Sequence, residues 1–344
     1  MEGEDSLRPP PDFRGTSESE EQVMSEVHLG CPPGHSGPHI SHFIISLPPS
    51  VRGGDEPIED DYSGEKLSLA RKEHDLDGDG DLILKRRTKP LRDYLVVAIR
   101  HNITSSIPRV GLQVWKAELL LADFVLHKMF TSKELDGIVA VELGAGTGLV
   151  GMLLARVART VFITDHGEEV LDNCAKNVHL NAAIFHPRAS VYVRELDWNC
   201  SQQPQVIEDL ESKESYIWNK TEVEEFWKAS FIVAADVIYS DDLTDALFST
   251  LHRMMSKCPE KVLYLALEKR YNFSIDDLDV VANGYSHFQS YLREGDSDGD
   301  LESGSLHSFL GKRVDLAEIP QYVRDYERGN DVELWQIMYG ERKQ

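Results

Sequence analysis

Three glycines spaced G-x-G-x-G, at Gly144, Gly146 and Gly148, close the apolar run IVAVEL at 138–143 and open the apolar stretch GLVGMLLARVA at 148–158. A strand that turns into a helix over so few residues needs backbone without Cβ atoms, both for the turn and for a ligand lying on the chain. Strand, glycine turn and helix form the opening unit of a parallel α/β sheet, so this junction limits the fold more than any other feature. In dinucleotide sites of the G-x-G-x-x-G kind the third glycine comes one residue later.

The alternation of helix and strand extends along the chain from Gly111. The sequence predicts an amphipathic helix at 114–130, a first core strand at 138–143 and a second, TVFITD, at 160–165. A helix from Glu168 to Asn181, a strand at Val191–Leu196, a strand FIVAAD at 231–236, a helix at Leu243–Met255 and a strand VLYLALE at 262–268 continue the series. The polar stretch from Cys200 to Asn219 reads as an inserted loop before a short helix near Glu222–Trp227, and VELWQIMYG at 332–340 reads as an edge strand. DLILKRR at 81–87 and YLVVAIRH at 94–101 read as strands of an extension. Residues 1 to about 60 are rich in Pro, Gly, Ser and acidic residues, with FIISL at 43–47 standing alone, and are expected to stay mostly disordered. The domain reading is therefore an acidic, largely disordered segment at 1–80, an extension packed on the core at 81–110, and a main domain at 111–344.

With 344 residues, 41% of them hydrophobic, the chain can bury one full α/β core. No apolar run approaches the roughly 18 residues that span a bilayer, and the N-terminus lacks the basic start and apolar stretch of a signal peptide, so a soluble intracellular protein is expected. Cys31, Cys174, Cys200 and Cys258 are too scattered for a disulfide framework or a zinc site, and no metal is expected. The formal charge of −23 argues against nucleic acid and for a basic partner.

Acidic residues surround the glycine loop in sequence. Glu142 precedes it, and Asp165 ends the second strand, where a carboxylate can accept hydrogen bonds from two ribose hydroxyls. NAD sites use that position too, but the glycine spacing favours S-adenosylmethionine. LDW at 196–198 ends the next strand, placing Asp197 near an adenine amino group and Trp198 where its face can meet the base, unless it is a core tryptophan. AADVIY at 234–239 ends the fourth strand with Asp236 and Tyr239 in a D-x-x-Y pattern facing the same crevice. Trp115 in GLQVW either walls the pocket or packs in the core.

Taken in order, GLQVW, ELGAGTG, TD, LDW and D-x-x-Y over about residues 107–340 resemble the family 16 seven-strand methyltransferases, which are mainly protein-lysine methyltransferases. The resemblance implies a Rossmann-like seven-strand class I fold with a partly disordered N-terminal extension. It implies that Trp115, Gly144, Ala145, Gly146, Asp165, Trp198 and Ala235 line an S-adenosylmethionine site, and Glu142, Gly148 and Asp197 are grouped with them. Asp236 and Tyr239 would face the substrate. Molecular chaperones are partners suggested by the family; a monomer without membrane attachment, in the nucleus and the cytosol, completes the expectation.

Methyl transfer to an amine requires an uncharged lysine, and deprotonation at pH 7 costs about 4 to 5 kcal/mol from a pKa near 10.4. A carboxylate is a poor acceptor for that proton, so Asp236 is assigned to orientation, while the sulfonium charge and desolvation lower the amine pKa. Tyr239 would bond the amine or pack beside its methylenes. A nucleic-acid amine methylase would carry Pro-Pro-aromatic after the strand-four Asn or Asp, where this chain has Val237, Ile238 and Tyr239. A non-catalytic acidic scaffold and an oxidoreductase are the competing readings. DLDGDGD at 75–81 opens like a calcium loop but has Arg86 at the twelfth position, and DSDGD at 296–300 has Leu301 where glycine belongs, so both read as acidic turns. KRRTK at 85–89 reads as a nuclear import signal or an exposed strand edge.

Overall fold

Runs such as VAVEL and VLYLALE are apolar at successive positions, as strands covered on both faces require. The computed structural model describes residues 22–27, 35, 37–48, 93–200, 204, 206, 216–256, 260–274, 279–294, 309–324 and 326–340. The acidic turns at 75–81 and 296–300, the basic run at 85–89, the strand expected at 81–87, and Cys31 and Cys258 lie outside them.

In chain order the strands and helices are β1 (Gln22–Met24), β2 (His39–Ser46), β3 (Tyr94–His101), β4 (Thr104–Ser106), α1 (Lys116–Thr131), β5 (Val139–Leu143), α2 (Leu149–Leu154), β6 (Thr160–Asp165) and α3 (Glu168–Leu180). There follow β7 (Ser190–Glu195), α4 (Lys220–Phe226), β8 (Phe231–Ala235), α5 (Asp241–Met255), β9 (Val262–Glu268), β10 (Asn272–Ser274), β11 (Asp279–Val281), α6 (Asn283–Gln289), β12 (Leu292–Glu294), β13 (Phe309–Arg313) and β14 (Val332–Tyr339).

The main sheet runs β12-β13-β14-β9-β8-β5-β6-β7. Strands β7, β6, β5, β8 and β9 are mutually parallel, while β14 is antiparallel to both of its neighbours. Seven strands make the expected doubly wound sheet, and the short β12 adds an eighth, parallel to β13. Alternate side chains divide between two apolar layers: Val139, Val141, Leu143, Leu263, Leu265 and Leu267 join one cluster, Ala140, Tyr264 and Ala266 the other. Each fully buried Leu or Ile contributes about 1.5 to 3 kcal/mol.

Three expectations need correction. The closing segment β14 is not an edge, because β13 covers its free side; the signal for β13 was hidden in the short run FLGKR. Helix α1 is not amphipathic: residues 117–126 are all buried. Its outer face is covered by residues 322–324 and 326–328, which Asp123 ties down by accepting from the Tyr322 and Val323 amides at 2.7 and 2.8 Å and from Arg328 at 2.9 Å. FIISL is not isolated in a disordered segment, since it lies in β2, which pairs antiparallel with β3 from His39↔His101 to Ser46↔Tyr94. Phe43 and Ile45 are fully buried against the core.

The other edge of β3 is held by a helix. Asn181 and Asn177, one turn apart on α3 and just after it, present carboxamides that imitate a neighbouring strand. Asn181 accepts from the Ala98 amide at 2.9 Å and donates to the Ala98 carbonyl at 2.7 Å. Asn177 does the same for Arg100, at 2.7 and 3.1 Å.

Candidate functional site

The carboxyl ends of β5, β6, β7 and β8 converge on one cavity of about 290 Å³, beside the reversal of strand order between β5 and β8. Trp115, Glu142, Gly144, Ala145, Gly146, Asp165, Asp197, Trp198, Ala235, Asp236 and Tyr239 all line it. Among the residues expected from the sequence, Gly148 does not. Its φ of 81° and its place before α2 make it a turn residue, and a Cβ there would lie 2.7 Å from Cys174 Sγ. The third glycine therefore serves the packing of α2 on α3.

Gly144 is different, because its Cβ would intrude on the cavity wall, 2.7 Å from Val237 Cγ1 and 3.1 Å from Trp198 Cη2. The Gly146 amide donates to Asp165 Oδ2 at 2.7 Å, and the His166 amide donates to Asp165 Oδ1 at 2.7 Å, so the aspartate is fixed at the rim. Trp198 Nε1 is buried without a partner, an unmet donor beside the cavity. Asp197 Oδ1 accepts from the Asn199 amide at 2.9 Å. Glu142, beneath the loop, accepts from the Gly151 amide at 2.8 Å, and burial holds its carboxyl well above the usual range.

At the opposite wall, Asp236 has φ of 56°, the one positive value for a residue other than glycine among the described residues. Left-handed backbone at a non-glycine residue costs about 1 kcal/mol or more, and such strain clusters at active sites and ligand clamps. Arg270, from the loop after β9, donates to Asp236 Oδ2 at 2.5 Å. Burial raises the Asp236 carboxyl, and Arg270 opposes that shift. The guanidinium also lies 4.7 Å from the centre of the Trp115 ring, whose Nε1 donates to the Val110 carbonyl at 3.1 Å. Tyr239 stands at the mouth, 44% exposed.

Sequence reasoning missed three contributors. Glu118 is buried in the wall, with Thr147 Oγ1 donating to it at 2.6 Å. Gln113 accepts from the Ser25 amide at 2.6 Å and donates to Ser105 at 2.5 Å, tying β1 and β4 to the cavity edge. Arg270 follows the strand LYLALE and reaches Asp236 only because β9 neighbours β8. Gln113 lies within the quoted GLQVW; nothing local in the sequence marks the other two.

Glycine surfaces, a rim carboxylate, an unmet indole donor and a carboxylate at the mouth suit a nucleoside carrying an amino-acid tail. A family model described as "Lysine methyltransferase" matches residues 96–281. Human methyltransferase-like protein 22 is 34% identical over 318 residues, covering 81% of this chain and 73% of that protein. The mouse protein N-lysine methyltransferase METTL21A is 33% identical over 192 residues, covering 55% of this chain and 75% of that protein.

Proposed function

This chain belongs to the lysine methyltransferase family, and from that premise we propose that its cavity holds S-adenosylmethionine with the transferable methyl facing Asp236 and Tyr239. The enzyme methylates the side-chain amine of a lysine in a protein, with S-adenosylmethionine as donor. When bound, the donor supplies a methyl group on a positively charged sulfur. The residues fit it: Gly144 leaves room that any side chain would fill, and Trp198 offers a buried donor without a partner.

In this reading Asp165 holds the ribose hydroxyls, and Asp197 and Trp198 receive the base. Asp236 and Tyr239 orient the acceptor amine at the mouth. Transfer is an in-line displacement in which the amine nitrogen bonds the methyl carbon as the carbon–sulfur bond breaks onto sulfur, so alignment is the protein's main contribution. Asp236 is no general base, because a carboxylate already paired with Arg270 has little attraction for a lysine proton. The Arg270 charge instead favours a neutral amine, and the proton leaves to water before attack.

The observation that carries this reading is the strained, arginine-paired Asp236 between the glycine loop and the exposed mouth. Our reading of the acceptor is a basic protein, supported by the charge of −23. A nuclear and cytosolic location is part of the same proposal, supported by the basic run at 85–89 and testable by imaging the tagged chain. Incubating the full chain and labelled donor with a lysate lacking the enzyme, then mapping labelled lysines, tests the function. Label that appears equally with Asp236→Asn sinks the assignment of that residue.

A further inference from the structure

We infer that Glu118 receives the α-ammonium group at the amino-acid end of the methyl donor. This rests on reading the cavity as the donor site. With Trp198 and Asp165 taken by base and ribose on the β6–β7 side, the donor's tail extends to the other side of the glycine loop. Helix α1, which carries Glu118, packs there, against β8, β9 and β14.

The carboxylates of the cavity are differently engaged. Asp165 takes two backbone amides, Glu142 takes the Gly151 amide, and Asp236 is neutralised by Arg270. Glu118, only 5% exposed, takes a hydrogen bond from Thr147 Oγ1, and the backbone amides of Trp115 and Leu149 lie near it, all uncharged groups. An ionised carboxylate offers about four acceptor positions, so capacity remains for one more donor.

A buried carboxylate without a cation is costly, and burial pushes the Glu118 carboxyl up to about 7. The titratable groups facing it are Glu142 of β5, Asp236 after β8 and Cys174 of α3, none of which brings a positive charge. An ammonium group from the ligand supplies the missing charge and holds Glu118 ionised.

Calorimetry on the full chain compares S-adenosylhomocysteine with 5′-methylthioadenosine, which lacks the amino-acid end. We expect S-adenosylhomocysteine affinity to fall about tenfold between about pH 8 and about pH 6, as Glu118 must ionise to bind, while 5′-methylthioadenosine stays level. Glu118→Gln should lose about tenfold for S-adenosylhomocysteine at the higher pH, show a flat profile, and bind 5′-methylthioadenosine normally. Equal loss for both ligands, or none for either, overturns the inference while leaving the donor site standing. A wild-type chain that binds neither compound overturns the donor reading and the inference together. The wild-type comparison of the two ligands decides the matter even if the variant fails to fold.

Discussion

Arg270 donates to Asp236 at 2.5 Å while its guanidinium lies 4.7 Å from the Trp115 ring centre, so one side chain joins the D-x-x-Y turn to the opposite wall of the cavity. Without the cation, burial raises the Asp236 carboxyl further, and an arriving lysine ammonium supplies the missing positive charge. Arg270→Gln should therefore raise the pKa of an arriving lysine and move the pH profile of methyl transfer to higher pH, with Arg270→Lys restoring part of the activity. Rates of label incorporation across a pH series check this. An unchanged profile would reduce Arg270 to a packing residue.

Asp236 and Asp165 should separate cleanly. Asp236→Asn keeps a residue type that tolerates left-handed backbone, so the fold and donor affinity should persist while transfer falls at least about tenfold. Asp165→Ala removes the acceptor of the Gly146 and His166 amides, and donor affinity should drop by about tenfold or more. Titration with S-adenosylhomocysteine, paired with transfer assays, measures both. Equal affinity losses would reject the division of labour.

The two glycines that differ in role should differ in effect. Gly148→Ala drives a methyl onto Cys174 and adopts an unfavourable φ, so it should cost about 1 to 3 kcal/mol of stability, read from denaturant midpoints. Gly144→Ala intrudes beside Trp198 and should weaken donor binding more than its stability loss accounts for. Unimpaired donor binding in Gly144→Ala would contradict the placement of the cavity wall.

Glu118 sets a pH dependence of stability in the ligand-free protein. Below about pH 4.5 it is neutral whether folded or unfolded; as pH rises toward about 7 the unfolded chain ionises first, so the folded state loses up to about 3 kcal/mol over that window. Glu118→Gln lacks this penalty. Its unfolding free energy should exceed that of the wild type at about pH 8 and converge with it near pH 4.5. A stability difference independent of pH would show that burial does not shift this carboxyl.

Much of the cavity was legible because its residues sit at strand ends, where a continuous apolar run stops at or just before an acidic or glycine residue. Asp165, Trp198 and Asp236 were found that way, and all three line the cavity. Gly148 shared the motif but answered to Cys174, a contact no local pattern announces. Helix α1 misled because residues 322–324 and 326–328, about 200 positions away in sequence, cover its outer face. Arg270 and Glu118 act across neighbouring elements, and that information resides in strand order rather than in either segment.

The asparagine pairing of α3 with β3 also settles how the catalytic sheet can be trimmed. Helix α3 begins three residues after the rim aspartate, so the splint made by Asn177 and Asn181 ties the N-terminal ribbon to the same helix that frames the donor pocket. A shortened protein starting at residue 111 would leave those carboxamides facing solvent and strip Arg100 from Asn173. Such a fragment forfeits the brace behind its own binding site, so a unit that keeps this brace begins upstream of β3.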